Sequence, residues 1–91
     1  MIIKITPAQK DFLINNVLQN RKELISQILT GSFVHSKWHI NISDDIADEI
    51  RNECLEMLPL VGFDENYSLN KQGVILDDLI DTFYVSETPS M

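Results

Sequence analysis

The 91-residue chain contains one cysteine, Cys54, and three mutually isolated glycines, Gly31, Gly62 and Gly73. A single thiol excludes an internal disulfide and fits a reducing cytosol; its place within an amphipathic stretch marks it as a small core residue. Isolated glycines exclude a phosphate-cradling loop, which needs several of them close together. No run of about 18 apolar residues occurs, so no membrane span is expected. The opening MIIKI is too short for a secretory apolar region and no small-residue cleavage site follows it. Repeats, low-complexity tracts and Gly/Ser linkers are also missing. With 44% hydrophobic residues the chain is ordinary globular material. The expectation is one cytoplasmic domain over residues 1–85, with the SETPSM end, 86–91, as a frayed tail.

Cations are the scarcest charge in the second half. Residues 1–43 carry five Lys or Arg against two carboxylates, a net of +3. Residues 44–91 carry two, Arg51 and Lys71, against twelve carboxylates, a net of −10. Such a half repels phosphate backbones and anionic membranes and attracts cationic partners. Acidity kept for solubility would give the same composition, so position along the chain has to separate the two.

Helical patterns dominate. Thr6, Pro7 and Gln9 make an N-cap, a first-turn proline and a capping box. Phe12, Leu13, Val17, Leu24, Ile25 and Ile28 follow at helical spacing up to Gly31, as one helix or as two broken at the polar QNRK patch, 19–22. Ser43 caps a second helix with Asp44 and Asp45 in its first turn and Ile42 and Ala47 placed as a hydrophobic staple. Its stripe is Ile46, Ile50, Cys54, Met57, Leu58 and Val61, and Pro59 and Gly62 mark its end or a kink. Asn70 caps a third helix with Val74, Ile75, Leu79, Ile80 and Phe83 inside. Residues 31–42, GSFVHSKWHINI, are aromatic and β-branched without helical period, and are expected as a packed irregular or short extended segment. The predicted fold is therefore all-α, a bundle of three to four helices around that segment.

The second helix concentrates the acid. Asp45, Glu49, Glu53 and Glu56 fall on one stripe, and Asp44 and Asp48 form a further like-charge pair one turn apart. Each such pair costs a helix about 0.2–0.5 kcal/mol. Glu53 and Glu56 lie too far along for the helix dipole to compensate, and only Arg51 offers relief. Asp77 and Asp81, with Asp78 beside them, repeat the pattern on the third helix. A one-sided acidic face suits docking to a basic protein, where complementary charge raises the association rate. Trp38, Phe33 and Tyr67 are candidate apolar anchors for it.

Catalytic constellations are not found. His35 and His39 have metal-ligand spacing only if helical, and they lack both a third ligand and the Glu of an H-E-x-x-H motif. Ser26, Ser32 and Ser43 have no convincing base and orienting acid, and surface carboxylates lack the desolvated pocket that perturbs a catalytic pKa. No enzyme activity, cofactor or metal is expected. The YSLNKQG stretch has the look of the strand-turn-helix that closes a winged-helix DNA-binding domain. A recognition helix over 43–58, however, would bring six carboxylates and one arginine to the major groove. No nucleic acid and no membrane are expected as partners.

Residues 62–84, GFDENYSLNKQGVILDDLIDTFY, about a quarter of the chain, carry a resemblance. Gly-Phe-Asp-x-Asn-Tyr-x-Leu, a four-residue turn ending in Gly73, then Leu76-Asp77-Asp78-Leu79-Ile80-Asp81, resembles small acidic immunity proteins of bacterial contact-dependent growth inhibition and other polymorphic toxin systems. The resemblance implies a cytosolic protein that binds one cognate toxin domain one-to-one and covers its active site. Such toxins are commonly nucleases, tRNA-cleaving EndoU-like enzymes among them, whose phosphate-binding surfaces are cationic. Contact residues vary within such families, so the candidate contacts rest on charge geometry: Asp44, Asp45, Asp48, Glu49, Glu53, Glu56, Asp77, Asp78 and Asp81, with Trp38, Phe33 and Tyr67. The alternatives are a winged-helix-like DNA-binding regulator and a non-enzymatic subunit of a larger complex.

Overall fold

The computed structural model describes residues 1–84. In chain order it has β1 (Ile2–Ile5), α1 (Pro7–Phe12) continued by a π-helical turn (Leu13–Val17), and α2 (Lys22–Leu29). Then come β2 (Ser32–Val34), β3 (Lys37–Asn41), α3 (Asp44–Val61) and α4 (Lys71–Thr82). The strands form one antiparallel sheet in the order β1-β3-β2. The predicted all-α bundle is thus overturned: the domain is α/β, and residues 31–42 are largely a hairpin rather than an irregular segment. The expected tail over 86–91, and the domain boundary at 85, lie outside the described residues.

The sheet follows from a period of two that short strands make hard to see. Ile3 and Ile5 are buried while Ile2 and Lys4 are exposed, and Ile40 is buried between His39 and Asn41. Register sets Ile3 against Ile40 and Ile5 against Trp38, so the inner face is apolar across both strands. Four residues of MIIKI cannot stand alone as a strand; pairing with distant β3 makes it one. The hairpin is concealed for a second reason. Its two turn residues, His35 (φ 50°) and Ser36 (φ 69°), are both left-handed, a geometry that sequences ordinarily announce with Asn-Gly.

The helix starts come out as expected. Thr6 accepts from the Gln9 amide while the Gln9 side chain accepts from the Thr6 amide, closing the capping box. Ser43 accepts from Ile46 N at 3.2 Å and Asn70 from Gly73 N at 2.8 Å. The N-terminal helical region is two helices: the chain turns between the π-helical turn and Lys22, with Leu18 fully buried at the break. Pro59 does not end α3, which runs on to Val61 before Gly62 caps it. Pro59 and Leu55, the residue whose carbonyl it leaves unbonded, are both on the exposed face, where water can serve that carbonyl.

Ile3, Ile5 and Ile40 from the sheet, Leu13, Leu18, Leu24 and Ile28 from the N-terminal helices, and Ile50, Cys54, Leu76, Leu79 and Phe83 from α3, α4 and its cap form one core. No described polar or charged residue is buried in it. Every described carboxylate is therefore a surface group, and α3 and α4, packed against each other, present their polar faces outward. No helix among the described residues is long and apolar enough to cross a membrane.

Candidate functional site

The α3 stripe is less free than its sequence implies. Arg21, at the start of α2, donates from Nη2 to Glu49 Oε1 and from Nη1 to Glu53 Oε2, each at 2.9 Å, and from Nε to Glu23. One guanidinium, with donors fanned in a plane, ties α2 to α3 and takes up two of the four stripe carboxylates. Hydrogen bonds to Glu23 and Glu49 hold Arg21 firmly charged, and the Arg21 hydrogen bond lowers the Glu23 carboxyl below its ordinary range. The like-charge cost of the 45/49 and 49/53 pairs is offset from a different helix, a pairing no local spacing could reveal. Arg51, the cation expected to give that relief, forms no ion pair among the described residues. Its guanidinium carbon lies 5.3 Å from the centroid of the Tyr84 ring, and its Nε is buried without a hydrogen-bond partner.

Asp44, Asp45, Asp48 and Glu56 on α3 and Asp77, Asp78 and Asp81 on α4 are exposed, and none joins an ion pair among the described residues. Glu49 is exposed and Glu53 partly buried, both engaged by Arg21.

The three candidate anchors separate. Trp38 is part-buried, with Nε1 donating to the Ile28 carbonyl at 2.8 Å; it locks β3 to the C-terminal end of α2. Phe33 meets it edge to face at 4.9 Å, and Lys10 Nζ lies 4.2 Å from the Trp38 ring centroid. These two aromatics therefore sit under a cation, not among the carboxylates. Tyr67 stands between α3 and α4, 88% exposed and left-handed at φ 62°. Asp64 shapes its loop: Oδ1 accepts from Asn66 N at 2.8 Å and Ser68 N at 3.1 Å, and Asp64 O accepts from Tyr67 N at 3.0 Å. Phe63 and Leu69 bridge across the base of the loop.

His35 is exposed at the hairpin tip, and His39 lies across β3 from Lys4 and Ser32 on the outer sheet face. Among the described residues no group of three His, Cys, Asp or Glu is placed to hold a metal ion. Two features escaped sequence reasoning. Arg21 was indistinguishable from any other surface cation. Leu60, 80% exposed, did leave a signal: it lies one turn beyond Glu56, hence on the acidic face and not the core stripe.

The helix pair that precedes the hairpin is α1–α2, not α3. Its α2 N-terminus, where a groove-entering helix would meet DNA, is ringed by Glu23, Glu49 and Glu53 around Arg21. No protein-family model, curated protein or solved structure matches the chain.

Proposed function

We propose that this chain binds a cationic protein domain one-to-one and neutralises it by covering its active surface, as an immunity protein does to its toxin. The observation that supports this reading most is the outer face of α3 and α4. There Asp44, Asp45, Asp48, Glu56, Asp77, Asp78 and Asp81 are exposed without an ion pair among the described residues. A nuclease, tRNA-cleaving or otherwise, is the fitting class of target, because a surface built for phosphates attracts carboxylates equally. Binding of this kind needs no chemistry from the inhibitor: steering by charge sets the on-rate, and packed contacts hold the complex.

A second reading, a DNA-binding regulator, draws on the α1–α2 pair followed by the β2–β3 hairpin, with Lys4, Lys37 and His39 on β1 and β3. The carboxylates around the α2 N-terminus oppose it. The two are separated by co-expressing this chain, tagged, with the product of the gene immediately upstream at its native locus and purifying at about 0.15 M salt. A basic domain recovered one-to-one, toxic when expressed alone, supports the inhibitor. Retention of duplex DNA that weakens steeply with salt, without a basic protein, overturns it in favour of the regulator.

A further inference from the structure

Where α3 gives way to α4, five apolar side chains remain in water. Leu60 is 80% exposed, Phe63 43%, Tyr67 88%, Leu69 42% and Val74 50%. Such side chains scattered singly need no explanation, but these five fall within residues 60–74, on one connection and its flanking turns.

The corner is firmly built. Asn70 N donates to the Gly62 carbonyl at 2.9 Å and Asn70 Nδ2 to the Val61 carbonyl at 2.7 Å, while the Gly62 and Gly73 backbones pack directly together. Tyr67 occupies a left-handed conformation unfavourable to a bulky residue, yet its ring gains almost no burial. Folding therefore does not account for a tyrosine at that position. Asp64 and Glu65 are exposed on the same connection and Asp77 and Asp78 on α4 one turn beyond Val74, with Lys71 the one cation in the sequence between them.

We propose that this corner is the primary contact with the partner, resting on the inhibitor reading above. Tyr67 and Leu60 enter an apolar pocket on a cationic protein domain, and Asp64, Glu65, Asp77 and Asp78 meet Lys or Arg at its rim. Charge selects the occupant. A second copy of the chain would set the same carboxylates against each other, and nucleic acid would be repelled while offering no apolar pocket. An ordered loop and a side chain with two rotatable bonds lose little entropy on binding, which suits an anchor. Glu49 and Glu53, already held by Arg21, fall outside the contact.

The test measures binding and dissociation rates of purified variants against the basic domain recovered with the upstream gene product. Y67A and L60S should each weaken binding by about 30-fold, mainly through faster dissociation. D77N/D78N should slow association and flatten its dependence on salt. Y67G, which relaxes the left-handed backbone while deleting the phenol, must weaken binding as Y67A does, so loop distortion cannot explain the loss. F33A, on the hairpin, should change affinity by less than about two-fold. Loss on F33A with Y67A, Y67G and L60S unchanged would overturn the corner and leave the inhibitor reading intact. If the wild-type chain forms no complex with the upstream product, the inhibitor reading fails and the corner with it.

Discussion

Replacing Gly73 by alanine sets helix propensity against tertiary packing. In an isolated helix the change stabilises by up to about 1 kcal/mol, because alanine gives up less backbone freedom than glycine. In the folded domain a Cβ at Gly73 would overlap the Gly62 carbonyl oxygen and approach Leu69 Cδ2 at 2.9 Å. The Leu69 side chain can rotate away, but the Gly62 backbone cannot without moving the end of α3. Overpacking of this kind costs about 1–3 kcal/mol. If the corner opens instead, the Asn70 hydrogen bonds to Gly62 and Val61 are lost at about 1 kcal/mol each. Packing wins, and G73A should lower stability by about 2 kcal/mol, measured by urea unfolding at constant m. For a domain of this length, each kcal/mol corresponds to a fall in Tm of about 4–8 °C. Q72A, exposed on the same helix, is the control and should stay within about 0.5 kcal/mol of wild type. A G73A chain as stable as wild type, or more so, would refute the close crossing of α3 and α4.

The hairpin tip predicts the opposite sign. H35N/S36G should stabilise by about 1 kcal/mol in thermal melts, since relief of two left-handed non-glycine residues exceeds the added freedom of the unfolded chain; no gain would argue against that turn. Burial, with Glu53 nearby, pushes the Cys54 thiol up to about 12, so alkylation at pH 8 should track global unfolding and be fast only in denaturant. Because the folded pKa is raised above the unfolded value of 9.0, the thiol's contribution is full below pH 9. It fades as pH rises toward about 12, so the stability difference between wild type and C54A should shrink over that window. W38F should cost about 1–2 kcal/mol, by leaving the Ile28 carbonyl without its indole donor, as read by chemical denaturation. R21Q should loosen the α2–α3 junction, seen as faster amide exchange at the start of α2, because Glu49 and Glu53 lose their shared counter-charge.

Local chemistry settled a good deal in advance. Thr6, Ser43 and Asn70 fix three helix starts because a cap needs only residues within one turn. The stripe of Ile46, Ile50 and Cys54 fixes which face of α3 turns inward, and with it the outward face on which Asp45, Glu49 and Glu56 lie.

Other features depended on partners far along the chain. MIIKI is a strand only because Ile3 and Ile5 find Ile40 and Trp38, and a hairpin closed by His-Ser carries none of the usual turn signal; an all-α reading followed from missing both. Arg21 reaches Glu49 and Glu53 across 28 and 32 residues of sequence, so the charge actually left open on α3 could not be counted from helical spacing. The same holds for most of the corner: Phe63 and Leu69 read as ordinary apolar residues and Val74 as part of the buried stripe, yet with Gly62 packed on Gly73 all three are exposed. The sequence alone determined where three of the helices begin, which way α3 faces and that the second half is acidic, since these are properties of neighbours within a turn. Strand pairing, the neutralised carboxylates and the exposed corner were decided by tertiary structure, because each depends on which distant residues share space.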